Sequence, residues 1–188
     1  MIRLFVAIDL PEAVCDRLAA LCAGVPGARW VDPVNFHLTL RFIGEVDNRT
    51  ADDIDAALAA VRVPRFDLWL RDVGIFGRGR GVRALWAGVD PSEGLTRLQG
   101  KVENAAYAAG LPRETRKFSP HVTLARLRGV SASRLQGFVA AHSGFMAGPA
   151  PVDRFTLYSS FLSSSGAIHT PEAVYPLDGS HGLVSDPE

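Results

Sequence analysis

The chain has 188 residues, of which 47% are hydrophobic and 21% charged, a composition typical of a globular protein with a sizeable core. Its 20 Lys and Arg residues balance its 20 Asp and Glu residues, so the formal net charge is zero. This balance excludes the global basic field that drives non-specific binding to nucleic acid. Any nucleic-acid substrate must therefore be held by local contacts.

Hydrophobic periodicity and turn residues predict about seven strands and four helices, intermixed along the chain. The first strand covers residues 2–9 and ends at Asp9, a candidate cap for a helix that begins with Pro11 in its first turn. The other predicted strands are 36–43, 66–74, 82–89, 119–127, 152–162 and 173–177. The predicted helices are 11–23, 50–62, 90–109 and 131–141, and the tail 179–188 is expected to be frayed.

The first helix carries the two cysteines of the chain, Cys15 and Cys22. They lie two turns apart, about 10 Å at 1.5 Å per residue, which is too far for a disulfide. We therefore predict reduced, buried thiols. No apolar run approaches the roughly 18 residues of a membrane span, and the N-terminal apolar stretch is too short for a signal sequence. A soluble, cytoplasmic protein without a membrane partner is the expectation.

One short pattern, His, apolar, Thr, Leu, occurs twice in the chain, at His37 and again about half the chain length later at His121. In a strand, successive side chains point to opposite faces, so His37 shares a face with Thr39, and His121 shares a face with Thr123. Brought opposite each other, the two faces would form a cleft with two imidazoles and two hydroxyls. The spacing suggests two similar halves, each contributing one strand.

Two imidazoles that titrate near neutrality can serve as acid and base in one turnover. Hydroxyls and backbone amides can donate hydrogen bonds to phosphate oxygens, and Arg41 or Arg126 can add charge-assisted bonds. No metal-ligand spacing occurs within either motif, so neither a metal nor another cofactor is expected. A Gly-x-Ser-x-Gly elbow is also absent, which disfavours a serine hydrolase. The pattern points to phosphodiester chemistry.

Each of the remaining candidate residues could also have a purely structural role. Arg41 has the same parity as His37, whereas Arg126 has the wrong parity for the face of His121 unless the strand bulges. Phe118 and Trp30 are candidates for stacking on a base, but aromatic residues near strands more often belong to the core. The loop 79–81 either holds an RNA backbone or is a solvated turn. No role is assigned to His142, His169 or His181.

Residues 35–45 and 117–126 resemble the motifs of the two-histidine phosphoesterases, most closely the bacterial and archaeal RNA 2′,3′-cyclic phosphodiesterases, also called 2′-5′ RNA ligases. Residues 3–11, 83–86 and 157–160 also look similar to this family, so the resemblance covers nearly the whole chain. It implies a single α+β domain over residues 1–188, in which two similar lobes of mostly antiparallel sheet with outer helices flank a central cleft.

The resemblance implies metal-independent hydrolysis of an RNA or nucleoside 2′,3′-cyclic phosphate to a 2′-phosphate, with ATP-independent 2′-5′ joining in some members. By motif position, His37 would be the general acid that protonates the departing 3′ oxygen and His121 the base that activates water, although the order could be exchanged. Thr39, Thr123, Arg126, Arg41 and Phe118 are the expected substrate-binding residues.

Other functions remain open at this stage. The same cleft could bind RNA ends or cyclic nucleotides without useful turnover. An enzyme with this fold could instead act on 2′-5′ oligoadenylate or on a cyclic phosphate of a nucleotide-sugar. The expected partner is RNA with a 2′,3′-cyclic phosphate end or a cyclic nucleotide, and the expected oligomeric state is a monomer.

Overall fold

The computed structural model describes residues 1–163 and 166–178, and the predicted frayed tail 179–188 lies outside them. Nine strands and four α-helices form within the described residues, so the predicted α+β class is confirmed. The strands are β1 (Ile2–Asp9), β2 (Ala28–Trp30), β3 (His37–Val46), β4 (Phe66–Phe76), β5 (Ala84–Val89), β6 (His121–Leu127), β7 (Met146–Val152), β8 (Arg154–Ser163) and β9 (Gly166–Pro176). The helices are α1 (Glu12–Ala19), α2 (Asn48–Ala59), α3 (Glu93–Ala108) and α4 (Ala132–Ala141).

The strands form one antiparallel sheet in the order β7-β4-β5-β6-β3-β1-β8-β9, and the short β2 pairs with β6. We call the four strands β3-β1-β8-β9 the first lobe, and β6-β5-β4-β7 the second lobe. The lobes meet at the centre of the sheet, where Leu38 of β3 pairs with Val122 of β6. The predicted bilobal fold is confirmed, but the lobes are interleaved along the chain because β8 and β9 return to the edge of β1.

A continuous core lies on one face of this sheet, where the helices pack. Each helix contributes buried apolar residues to it, for example Leu18 of α1, Ile54 of α2, Leu98 of α3 and Leu135 of α4. The caps follow local chemistry, because the Asp47 and Ser92 side chains accept backbone N–H bonds at the starts of α2 and α3. The opposite face of the central strands is left free for function.

Several predicted boundaries were wrong for identifiable reasons. Strand β3 does not stop at Gly44 but continues to Val46, because a register shift beside Gly44, whose φ is +90°, absorbs an extra residue. The predicted strand 152–162 is divided between the end of β7 and β8. Its partner β9 starts at Gly166 rather than near 173, so His169 lies in a strand and not in a loop.

At the first helix, the N-cap position is occupied by Pro11 and not by Asp9, whose carboxylate is engaged elsewhere. Cys15 and Cys22 are free thiols, as predicted, but they are half-buried rather than buried, and Cys22 lies beyond the end of α1. Burial raises the pKa of Cys22 to about 11. None of the helices in the described parts of the chain is long and apolar enough to cross a membrane.

Candidate active site

The two repeated motifs meet at the centre of the sheet. Leu38 and Val122 pair across the seam between the lobes, and both are buried in the core. Since side chains alternate along a strand, the residues on either side of this pair project from the opposite, open face. These residues are His37, Thr39, His121 and Thr123, and each is half-buried. The structure therefore brings two imidazoles and two hydroxyls onto one surface.

Both imidazoles are held by the main chain in the same way. Nδ1 of His37 lies 2.7 Å from the carbonyl oxygen of Asn35, and Nδ1 of His121 lies 2.7 Å from the carbonyl oxygen of Ser119. A carbonyl oxygen only accepts, so Nδ1 must carry the proton in each ring. Nε2 is then the nitrogen that can take up or release a proton, which is the arrangement that acid–base chemistry needs.

His37 stands in an aromatic setting at the end of β3. Its ring lies 4.9 Å from that of Phe5 and 5.4 Å, edge-on, from that of His169, measured between centroids. Burial lowers the pKa of His37, and the positive charges of His169 and His121 lower it further, while the Asn35 carbonyl and the Asp9 carboxylate oppose this shift. The neutral imidazole is therefore favoured in the free protein. The pairing of Leu38 with Val122 places His37 and His121 on adjacent strands beside this seam.

Asp9 is oriented beside His37, with which it is paired in the register of β1 and β3. Its carboxylate accepts hydrogen bonds from Thr156, at 2.9 Å, and from the Tyr158 hydroxyl. Burial and the bond to Asp9 raise the pKa of Tyr158, so this phenol stays protonated and keeps donating. The carboxylate is thus fixed as a nearby negative charge rather than as a direct partner of the imidazole.

The His121 imidazole packs against different aromatic residues. The His121 ring is met edge-on by Phe76 at 4.7 Å and lies 6.5 Å from the indole of Trp86, measured between centroids. The indole lies over Gly74, where an added Cβ would come within 2.3 Å of it. A glycine is needed at this point in β4 because the Trp86 ring occupies the space of a side chain.

A bulge in β6 decides the position of Arg126. Along β5, Trp86 pairs with Thr123 and Ala84 pairs with Arg126, so a single extra residue in β6, Leu124, restores Arg126 to the open face. Its side chain is exposed there. Strand alternation alone would put Arg126 on the face opposite to His121, but this bulge places it on the same surface as Thr123.

The equivalent bulge in β3 has the opposite consequence for Arg41. Val6 of β1 pairs with Arg41, and Val6 projects into the core. The Arg41 side chain is accordingly buried, with Nε 2.9 Å from a Glu103 carboxylate oxygen and Nη2 donating to the Pro112 carbonyl at 2.6 Å. The expectation that Arg41 lies with the imidazoles is therefore corrected, and we do not propose it as a substrate ligand.

The aromatic candidates from the sequence pack against the core. Phe118 is half-buried against it, and the Trp30 ring lies 6.1 Å from that of Phe138. The loop at Gly79–Gly81 forms a single 3-10 turn, and His142 is bonded through Nδ1 to the Phe138 carbonyl. None of these observations gives Phe118 or Trp30 an exposed ring face for stacking.

Sequence reasoning missed several residues around the imidazoles, namely Asp9, Phe76, Trp86 and His169. No local pattern marks His169, because its role follows from the long β8–β9 hairpin that places it opposite Ser160 and against the His37 ring. Its own pKa is lowered by burial, and its buried Nδ1 has no hydrogen-bond partner among the described residues. Among those same residues, no three His, Cys, Asp or Glu side chains cluster as metal ligands.

Comparison with known families gives a consistent match to this geometry. The family described as LigT like Phosphoesterase matches the chain twice, over residues 8–86 and 88–169. The first match contains the motif at His37 and the second contains the motif at His121. The duplicated pattern is therefore also seen by comparison with this family.

Individual relatives cover most of the chain. It is 37% identical over 148 residues to the RNA 2′,3′-cyclic phosphodiesterase of Aeropyrum pernix, which covers 78% of this chain and 84% of the relative. Among solved structures, TT0787 of Thermus thermophilus superposes with a TM-score of 0.78 at 30% identity, covering 95% of this chain and 100% of the other. Escherichia coli LigT complexed with 3′-AMP superposes with a TM-score of 0.75 at 31% identity, covering 94% and 98%.

Proposed function

Because the chain belongs to the family of LigT like phosphoesterases, we propose that it hydrolyses the 2′,3′-cyclic phosphate at an RNA end to a 2′-phosphate. The observation that carries the proposal is the pair of imidazoles on one open face, each with Nδ1 tied to the main chain and Nε2 free for proton transfer. The name of the Aeropyrum pernix relative and the 3′-AMP bound by Escherichia coli LigT support the same substrate class.

In this proposal, one imidazole removes a proton from water as it attacks phosphorus, and the other protonates the departing 3′ oxygen. The hydroxyls of Thr39 and Thr123 donate hydrogen bonds to the non-bridging phosphate oxygens, and Arg126 contributes positive charge from the same surface. The roles follow the family pattern, with His37 as acid and His121 as base. When the 5′ hydroxyl of a second RNA replaces water as the nucleophile, the same pair with the same roles gives a 2′-5′ phosphodiester and a free 3′ hydroxyl, so 2′-5′ joining is a minor reaction of the same site.

The acid role of His37 carries a physical requirement. Its pKa is lowered in the free protein, so a proton must be stabilised on it when substrate binds. The negative charge of the cyclic phosphate supplies this stabilisation, because an anion beside an imidazole favours its protonated form. NMR titration of His37 with and without a bound nucleotide phosphate is expected to show a higher pKa in the complex. An unchanged or lower pKa would instead favour His37 as the base.

The decisive experiment is incubation with an RNA strand that ends in a 2′,3′-cyclic phosphate, followed by identification of the oxygen that retains the phosphate. We expect a 2′-phosphate. Substitution of His37 or His121 by Ala should lower kcat/KM by about 10²-fold or more, the usual size of general acid or base removal. His142→Ala is the matched control, since that ring lies at the C-terminal cap of α4 and is bonded to the Phe138 carbonyl, outside the motifs. An intact cyclic phosphate after exhaustive incubation would contradict the proposal.

Alternative substrates can be examined in the same assay by offering 2′-5′ oligoadenylate. A binding module without turnover is not favoured, because the relatives matched here are named as phosphodiesterases.

We further propose a monomeric protein in the cytoplasm. The proposal is supported by the presence of both motif histidines in one chain and by the free thiols of Cys15 and Cys22. Sedimentation analysis would test the oligomeric state.

A further inference from the structure

The zero net charge conceals an uneven distribution of charge along the chain. Residues 17–31, 73–89 and 115–152 contain half of the 20 Lys and Arg residues and no Asp or Glu. These segments include the end of β4, all of β5, β6 and β7 of the second lobe, and β2, which pairs with β6. The lobe that carries His121 is therefore locally basic at the strands beside it.

Two arginines of this region stand directly side by side. Arg29 of β2 pairs in register with Arg126 of β6, and directly paired residues of antiparallel strands project from the same face. Their strand neighbours Trp30 and Ala125 pack into the core. Arg29 and Arg126 therefore both lie on the open face, and both side chains are exposed.

Among the side chains that the structure describes, no carboxylate forms an ion pair with Arg29 or Arg126. The arginines that do form ion pairs there are Arg41, Arg71, Arg97, Arg116 and Arg154. Like charges placed directly opposite each other across two strands are destabilising. Folding alone therefore does not favour this arrangement, whereas a bound anion would turn the repulsion into two charge-assisted hydrogen bonds.

The pair lies at a useful distance from the reacting groups. Thr123 is opposite Trp86 and Arg126 is opposite Ala84, two residues along β5, which corresponds to about 7 Å at 3.3 Å per residue. This spacing is comparable to the separation of successive phosphates along an extended RNA strand. At the equivalent bulge in the first lobe, the position of Arg126 is taken by Phe42, so only the second lobe offers guanidinium groups there.

We infer that Arg29 and Arg126 form a binding site for a second phosphate, the phosphodiester on the 5′ side of the terminal nucleotide. The inference rests on the proposed function and specifies its substrate class, an RNA oligonucleotide in preference to a nucleoside cyclic phosphate. The terminal cyclic phosphate lies between the imidazoles, and the chain leaves the site over β6 towards β2.

The test compares kcat/KM for a nucleoside 2′,3′-cyclic phosphate with that for a dinucleotide ending in the same nucleoside cyclic phosphate. For Arg29→Gln, we expect the ratio of dinucleotide to mononucleotide kcat/KM to fall about tenfold. The slope of log kcat/KM against log salt for the dinucleotide should become shallower by about 0.7, the value for one lost phosphate contact on a single strand. Arg29→Lys, which keeps the charge, should retain most of the slope.

Arg49→Gln is the control, because Arg49 is an exposed arginine on α2, outside the basic segments. It should leave the ratio and the slope as in the wild type. An unchanged ratio in Arg29→Gln, or an equal loss on both substrates, would overturn the second-phosphate site while leaving the hydrolase standing. If the wild type hydrolyses neither compound, the proposed function fails. The site is then judged by the same ratio in equilibrium binding of the two compounds.

Discussion

Arg41 offers the sharpest separation of structural from catalytic roles, because the sequence places it with the imidazoles and the structure places it in the core. Arg41→Met retains the length and apolar stem of the side chain but removes the guanidinium that contacts Glu103, Glu114 and the Pro112 carbonyl. Glu114 keeps Arg116 as its partner, and the hydrogen bonds from Arg116 hold its pKa low. The charge left without compensation is therefore that of Glu103.

The cost can be bounded from burial. Removing one partner of a buried ion pair typically costs about 3–5 kcal/mol of unfolding free energy. The Glu103 and Glu114 side chains are 14% and 27% exposed, which favours the lower end, about 3 kcal/mol. For a chain of this size, such a loss lowers Tm by about 6–12 °C. Adding Glu103→Gln to Arg41→Met should recover part of the loss, because the uncompensated charge is then gone.

Urea and thermal unfolding followed by circular dichroism measure these values, and turnover of a cyclic nucleotide at 25 °C measures activity. We expect kcat/KM of Arg41→Met to stay within about threefold of the wild type, since no contact with the reacting groups is lost. Arg71→Met is the matched control, because the Arg71–Asp90 pair is exposed and worth at most about 1 kcal/mol. A stable Arg41→Met protein with activity reduced by 100-fold would refute the reasoning and indicate that Arg41 binds the phosphate of the substrate.

Four further predictions concern the imidazoles, the packing beside them and the chemistry that they catalyse. His169→Phe keeps the ring packing but removes a positive charge that lowers the pKa of His37, so NMR titration should show a higher His37 pKa. The pKa values of His37 and His169 are lowered in the folded protein, so the unfolded chain binds protons at these residues more strongly as pH falls below about 6.5. The free energy of unfolding measured in urea should therefore decrease below this pH. The decrease should be less steep in His169→Phe. Gly74→Ala should cost about 1–3 kcal/mol by collision with Trp86, whereas Gly100→Ala, on α3 in open space, should stabilise by about 0.5–1 kcal/mol in the same unfolding assay. Turnover should persist in excess chelator with a bell-shaped pH profile, and activity that is lost and then restored by a divalent ion would contradict the acid–base scheme.

Much of the fold was predictable because its signals are local. The helices α2, α3 and α4 and the motif strands follow from periodicity, caps and breakers, and the shared face of His37 and Thr39 follows from strand alternation. The faces on which Arg41 and Arg126 lie were not predictable, because each is on the face opposite to the one that strand alternation indicates. A bulge is set by pairing with β1 or β5, and a single extra residue reverses every parity argument beyond it. His169 and Asp9 escaped for a related reason, since both reach the imidazole through strand pairings distant in sequence.

The carbonyl groups of Asn35 and Ser119 have a broader implication. In each motif the atom that fixes the imidazole tautomer belongs to the peptide backbone two residues upstream, a role that many hydrolases give to a carboxylate side chain. Asn and Ser serve equally because their side chains are not involved. The orienting group is therefore encoded by chain conformation and not by residue identity, so the recurring signature can be as short as His-x-Thr. Substitutions of Ser119 that preserve the local backbone should leave activity unchanged, whereas the Asn35 side chain also donates a hydrogen bond to the Ala167 carbonyl at 3.4 Å.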